Sequence, residues 1–423
     1  MDDTRRSIAV IGSGVAGLTA AYTLSRRDRV TLFEADTRLG GHAHTHVVDR
    51  GDGVSERVDS AFLVHNTRTY PTLCRLFYEL NIATRDTDMS MSVRADATGL
   101  EYAGARGFGG LFPTLSNLTR PRYLAMLLEV KKFHRHATAL LDSDASGPDE
   151  SLGTFLTRHN FSPFFVEYFM TPLVAAVWSC PPVAALDYPA RYLFVFLQHH
   201  GMLTVFGSPT WRTIVGGSAT YVEAIAQHLD EIRLGAAVRS LRRTPTGVLL
   251  HTDQRGPEEF DAVVVATHSD QALALLAEPT AYERAVLGAI GYTPNLARLH
   301  TDESVLPRRP RARASWNYLL TGRTDAVVVT YDVTHLMRLG GPKRFLVTLG
   351  DHDLVDPAQT LATMTYHHPQ YTLDSVAAQA RLPELDDDRV VFAGAYHGWG
   401  FHEDGAAAGV RAAQRLQQAA VRR

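Results

Sequence analysis

The stretch Ser7–Gly41, SIAVIGSGVAGLTAAYTLSRRDRVTLFEADTRLGG, limits what this chain can fold into more than any other. It reads as a short apolar strand over Ile8–Ile11, a glycine turn, an amphipathic helix from about Val15 to Ser25, and a second strand over Val30–Phe33 ending in an acid. That is the opening of a βαβ unit. Gly12 permits the tight turn, Gly14 lets backbone N–H groups approach a pyrophosphate beside Val15 and Ala16, and Gly17 lets the helix pack closely on the strand. An anion is favoured at the helix N-terminus, and Arg26 and Arg27 complement the other end. Glu34, followed by Ala35, stands where an acid accepts hydrogen bonds from a ribose 2′-OH and disfavours a 2′-phosphate. The glycine spacing alone is weak. Its context of strand, helix and acid is what the motif requires.

The residues that follow narrow the nucleotide. EADTRLGGHAHT, with Arg38, Gly40, Gly41 and His42, resembles the ExxxRxGG signature of the flavin amine oxidase and phytoene desaturase superfamily, in which the arginine and paired glycines hold the pyrophosphate side of FAD. Further segments extend the resemblance. Val58–Asn66, with Ala61 and Phe62, is similar to the segment that passes near the flavin, and Ile232–Val238 to the strand whose backbone contacts the adenine, here at Val238. DAVVVATHSDQAL, with Ala266 and Thr267, resembles the turn that closes the nucleotide domain. VVFAGAYHGWGFHEDGAAAGVRAAQRL resembles the terminal FAD-binding segment, implying cofactor contacts at Gly394, Ala395, Phe401, His402, Glu403, Asp404 and Gly405, with Gly409 completing the glycine pattern. Many relatives carry an acid where this chain has Ala395.

The 423 residues, 45% hydrophobic with a formal net charge of −3, suit one substantial core or two fused domains and give no basic block for nucleic acid. Cys74 and Cys180 form neither a disulfide framework nor a zinc pattern, and MDDTRR leads straight into the first strand. These features predict a cytoplasmic protein. Phe161–Trp178 and Tyr192–Gly207 are apolar and aromatic, but the first is interrupted by Pro163, Glu167 and Pro172 and the second is too short to span a bilayer, so both predict buried helices.

HAHTHVVDR alternates with period two and predicts a strand with His42, His44 and His46 on one face. No carboxylate or cysteine joins them, so histidines lining a strand beside the cofactor are preferred to a metal site. Thr69–Leu80 has helical spacing, Met89–Tyr102 reads as a hairpin, and Gly107–Gly110 as a turn. Pro121–His136 predicts a basic amphipathic helix, either a solvated surface helix or a peripheral contact with the inner membrane face. Asp142–Glu150 is a loop, and the helix-rich region after it has the composition of a pocket for an apolar substrate, walled by Trp178. Gly216, Gly217 and Ser218 precede another helix, and Gly247–His251 and Phe260–Ala266 read as strands. From about Tyr282 to Gln370 the pattern becomes a mostly antiparallel sheet, with Trp316 and Tyr318 towards the cavity.

The fold expected is α/β, α+β overall: a Rossmann-type FAD-binding domain from residues 1–68, 212–278 and 385–423, interleaved with a substrate domain from 69–211 and 279–384 whose helical part is 110–211. No second strand–GxGxxG–helix series is present for NAD(P)H, so the substrate or an external carrier exchanges electrons with the flavin. Over nearly its full length the chain resembles bacterial flavoproteins with GGHAHT and GFHEDG signatures, which are frequently encoded beside methyltransferases resembling cyclopropane fatty acid synthase. The resemblance implies redox or isomerisation chemistry on a lipid acyl chain or polyene, with a lipid-modifying enzyme as a partner. Hydride transfer from an allylic carbon to flavin N5 is the leading expectation, with His402, Glu403, His397 or His65 as base and Tyr396, Trp399 and Phe401 as wall. An amine oxidase, a redox-neutral double-bond isomerase and a non-catalytic FAD-binding scaffold remain as alternatives.

Overall fold

A computed structural model of the chain describes residues 5–143, 149–204, 207–322, 327–350 and 353–421. Part of the loop expected over Asp142–Glu150 lies outside these residues, as do two positions of Tyr192–Gly207. The opening motif folds as β1 (Ser7–Ile11), α1 (Val15–Leu24) and β2 (Arg29–Phe33). With β3 (Glu231–Arg233), β4 (Ala262–Val265) and β5 (Val390–Phe392) the strands form a parallel sheet in the order β3–β2–β1–β4–β5. Parallel strands covered on both faces need apolar residues at every position. Accordingly Ile8 and Val10 point into one core with Leu18, Leu24 and Val264, while Ala9 and Ile11 enter another with Phe33, Val263 and Phe392.

The order reverses between β1 and β4, and an α/β sheet binds its ligand at the carboxyl ends of the strands flanking such a reversal. Gly12, Glu34, Ala266 and Gly394 come from four segments distant in sequence, and each stands near the carboxyl end of its strand.

A second, seven-stranded sheet runs Thr360–Pro369, Tyr292–His300, Leu346–Leu349, Val329–Asp332, Trp316–Leu320, Met91–Ala95, Leu100–Gly104. All its pairings are antiparallel except Trp316–Leu320 with Met91–Ala95. One face packs under helices that include Pro121–Asp142, Thr171–Trp178 and Ala190–His199.

Four local expectations are corrected. Phe260–Ala266 is two strands, because the Asp261 carboxylate turns back to accept from the Ser7 N–H at 2.7 Å, and the chain passes there from a small sheet into the parallel one. Ile232–Val238 is likewise broken: β3 ends at Arg233, Gly235 turns with φ +60°, and Val238 opens a strand of a separate sheet, buried in the core that holds Phe33. Gly107–Gly110 begins a short helix, Gly107–Leu111. Tyr282 lies in a helix, Ala281–Leu287, started by a capping box between Thr280 and Glu283.

Candidate active site

The nucleotide end is built by close approach. Gly12 has φ +97°, and a Cβ there would stand 2.8 Å from the Ala266 carbonyl oxygen, beside Thr267. A Cβ on Gly17 would stand 1.8 Å from the Gly12 carbonyl oxygen, so only glycine lets α1 lie this close to the turn. Nothing lies within 4 Å of where a Gly14 Cβ would project, and no side chain caps α1. Glu34 Oε2 accepts from the Ser13 N–H at 2.9 Å and from Ser13 Oγ at 2.5 Å, and Oε1 from the Asp36 N–H at 2.8 Å, which places the carboxylate against the turn. Ala35, next to it, is exposed. Arg38 donates to the Gly41 carbonyl at 2.8 Å and so holds the paired glycines over Gly14. An open helix N-terminus, an acid at the tip of β2 and a buried His42 Nε2 without a partner fit the pyrophosphate and ribose of FAD.

Histidines crowd the next segment. The strand begins only at Thr45, so His42 and His44 precede it and the three imidazoles do not share a strand face. His44 and His46 rings lie 4.0 Å apart, His44 Nδ1 meets Tyr366 Oη at 3.1 Å, and Tyr366 Oη meets Ser60 Oγ at 2.7 Å. Burial pushes the His44 imidazole down to about 3 and His42 well below its ordinary range. Both imidazoles are therefore neutral near pH 7. Among the described residues, no group of three His, Cys, Asp or Glu side chains could hold a metal. Ala61 and Phe62 follow, and the Phe62 ring stacks on His402 at 3.8 Å with 5° between the planes.

The glycine-rich loop after β5 leads into the last helix, α2 (His402–Val421). Two of the candidate bases, Glu403 and His402, already have partners. Glu403 accepts from the N–H groups of Thr72 and Leu73 at 2.9 and 3.0 Å, capping the helix Pro71–Glu79, and is therefore not a free base. His402 Nε2 meets Tyr221 Oη at 3.2 Å, and burial pushes its imidazole down to about 3. Burial does the same to His397, whose Nε2 is buried without a partner, and holds His65, edge-on to Phe77, at about 4. Asp404 Oδ2 accepts from the Phe401 N–H at 2.9 Å, and burial pushes this carboxyl up to about 7.

Gly405 and Gly409 serve packing. Cβ atoms on them would stand 2.6 Å from Val15 Cγ1 and 2.2 Å from the Ala16 carbonyl oxygen, so α2 seats directly on α1. Tyr396 is also reassigned: its ring is buried in the core shared by Ile11, Phe33 and Phe392, apart from the aromatic wall, and Ala395 opens the same turn.

The wall comes from the helical region. Trp178 donates from Nε1 to the Trp399 carbonyl at 3.1 Å and lies 4.7 Å from the Phe196 ring, which stacks on Phe401 at 5.0 Å. Tyr318 is buried in the same core, and Trp316 packs edge-on to Tyr331 at 5.2 Å. Nε1 of both Trp316 and Trp399 is buried without a partner. Three donors converge on the Gly398 carbonyl: Tyr192 Oη at 2.8 Å, Tyr371 Oη at 2.9 Å and Gln379 Nε2 at 2.6 Å. Neither Tyr371 nor Gln379 belongs to a motif, and only the fold brings them to this loop.

Comparison with known proteins bears on the family and the fold. The family model described as flavin containing amine oxidoreductase matches residues 15–309. A Mycobacterium tuberculosis protein provisionally named flavin-containing monoamine oxidase AofH is 27% identical over 280 residues, 64% of this chain and 59% of that protein. The carotenoid phi-ring synthase of Streptomyces griseus is 27% identical over 333 residues, 72% of this chain and 59% of that one. The match thus spans about three fifths of the length of either curated relative. Cyclohexylamine oxidase from Brevibacterium oxydans IH-35A superposes with TM-score 0.70 at 17% identity, covering 99% of this chain and 100% of its own, and so shares the fold.

Proposed function

Because the chain belongs to the family of flavin-containing amine oxidoreductases, whose cofactor is FAD, we propose that it is an FAD-dependent oxidoreductase that dehydrogenates an apolar substrate, a lipid acyl chain or polyene. The chain is similar both to a relative named for a monoamine oxidase and to one named for a carotenoid enzyme, so similarity alone does not choose the substrate. The aromatic wall supports the choice. Trp178, Phe196, Trp399 and Phe401 gather into one apolar ring cluster at the glycine-rich loop, and the neighbouring His200 is held neutral by burial, at about 4.

FAD, when bound, supplies the two-electron acceptor for a hydride from the substrate. The Gly12 turn, Glu34 and the paired glycines would hold the nucleotide end, and the aromatic cluster would shield an apolar substrate from water. The Gly398 carbonyl, pinned by three side chains, keeps Trp399 and Phe401 in place. Of the acids in the first turn of α2 Asp404 is the one poised near neutrality, burial pushing its carboxyl up to about 7 while it accepts from the Phe401 N–H.

Amine oxidation would be favoured by an aromatic pair that confines the amine, and the pair at the Gly398 loop is Tyr192 and Tyr371. Their ring centroids are 5.1 Å apart, less than the roughly 7 Å that two contact layers of about 3.5 Å need around a ligand, and both hydroxyls are used on Gly398. The pair therefore does not confine an amine. Mass analysis of unsaturated acyl lipids incubated aerobically with the FAD-loaded protein tests the reading. Dehydrogenation predicts a product lighter by two hydrogens, whereas an isomer of unchanged mass, or no product, overturns it.

A further inference from the structure

The helix Pro121–Asp142 has an inner face, Tyr123, Met126 and Phe133, buried in the core that contains Trp178 and Phe196. Its outer face is of a different kind. Leu124, Leu128, Lys131 and Arg135 recur at helical spacing and are all exposed, Leu128 to 69%. The segments leading into it add Phe108 at 69% and Leu115 at 83% exposure. Those segments are held as one surface: Tyr123 Oη donates to the Leu111 carbonyl, Asn117 Nδ2 donates to the carbonyls of Glu101 and Leu111, and the Phe108 ring lies on Phe112. Large apolar side chains this exposed and adjacent mark an interaction site.

Charge identifies the partner. Lys131 and Arg135 on the helix, with Arg309 and Arg311 beside Gly107–Leu111, have no ion-pair partner among the described residues. Most nearby acids are already used: Glu129 accepts from Ser162, Glu101 from the N–H groups of Arg308 and Arg309, and Asp88 pairs with Arg106 and His335, which leaves Asp142 at the far end of the helix as its one exposed acid. This face is cationic on a chain whose net charge is −3. Nucleic acid would satisfy the cations and leave Leu115 and Leu128 in water. A bilayer bearing anionic headgroups satisfies both, taking the apolar side chains into the headgroup–acyl boundary while the cations meet phosphates.

We infer that Phe108, Leu115, Leu124 and Leu128, ringed by Lys131, Arg135, Arg309 and Arg311, dock the protein on an anionic lipid surface. The helix then stands with its outer face on the lipid and its inner face in the core of the aromatic wall, which puts the proposed substrate region next to the membrane. The docking surface itself rests on exposure and charge and does not depend on the substrate reading.

Vesicle flotation of the FAD-loaded protein tests this directly. The protein is expected to float with vesicles of phosphatidylcholine mixed with phosphatidylglycerol, weakly with phosphatidylcholine alone, and less in high salt. Replacing three cations together, Lys131→Gln, Arg135→Gln and Arg311→Gln, is expected to weaken anionic-vesicle binding on the order of a hundredfold, at about fivefold per charge. Leu115→Ser with Leu128→Ser is expected to weaken it at least about tenfold without altering flavin content. Absence of flotation, equal flotation with both vesicle types, wild-type flotation by both sets of variants, or displacement from vesicles by duplex DNA would each overturn the inference. Flavin bleaching by a detergent-dispersed acyl lipid is read on the same samples. Protein that bleaches without floating contradicts the docking surface alone, and protein that floats without bleaching contradicts the proposed substrate while upholding the surface.

Discussion

Asp404 and Gly17 show how single positions constrain this site. Burial raises the Asp404 carboxyl to about 7 against an unfolded value near 3.8, so the folded chain holds a proton there that the unfolded chain has released. The resulting stability is fully present below about pH 4, declines as pH rises through that window, and is lost above about pH 7, a change on the order of 4 kcal/mol. Asp404→Asn keeps an acceptor for the Phe401 N–H and cannot ionise. Its thermal midpoint is expected to gain on the wild type steadily between pH 4 and 7 and to keep a constant lead above, as scanning calorimetry across that range would show. Gly17→Ala forces a Cβ to within 1.8 Å of the Gly12 carbonyl oxygen, between two backbones that cannot give way. Loss of about 3 kcal/mol and of bound flavin is expected, measured by chemical denaturation and by the flavin absorbance of the purified protein.

Between elements, the contacts that matter join distant parts of the chain. Gly409 lets α2 seat on α1, and Gly409→Val would drive a branched side chain into the Ala16 carbonyl, destabilising by about 1–3 kcal/mol in denaturant titration. Asp59, pushed up to about 6 by burial, still accepts from Thr45 Oγ1 at 2.5 Å and from the Ser218 N–H at 2.9 Å, tying two strands to the start of the helix Ala219–Ala226. Asp59→Ala leaves these donors unpaired, and a loss of about 2–3 kcal/mol is expected by the same titration. The elements legible in the sequence are those set by local periodicity: β1, α1 and β2 lie within a residue of their expected limits, and the hairpin near Met91–Gly104 forms. Glu403 looked like a free acid because its partners, the N–H groups of Thr72 and Leu73, are 331 and 330 residues away. Phe260–Ala266 looked like one strand because the break depends on Ser7, 254 residues from Asp261. Long-range hydrogen bonds leave no local pattern to read.

At the scale of the molecule, a parallel sheet assembled from five separate segments carries the nucleotide turn, and a seven-stranded sheet under helices carries the aromatic wall. The glycine signatures made the first legible. The second was visible only as composition, since which aromatic faces which depends on packing: Tyr396, beside Trp399 in the same motif, belongs to another core, while Tyr371 joins Tyr192 from outside every motif. If the wall binds the substrate, Trp178→Ala should weaken binding of an acyl lipid by on the order of tenfold or more, read as KM, while leaving flavin content unchanged. The most direct test of the whole account is an anaerobic titration of the FAD-loaded protein, followed at the flavin absorbance band, with unsaturated acyl lipids and then with a panel of amines. Bleaching by the lipids and not by the amines is the predicted result, and bleaching by amines alone, or by neither panel when dithionite still reduces the flavin, would contradict it.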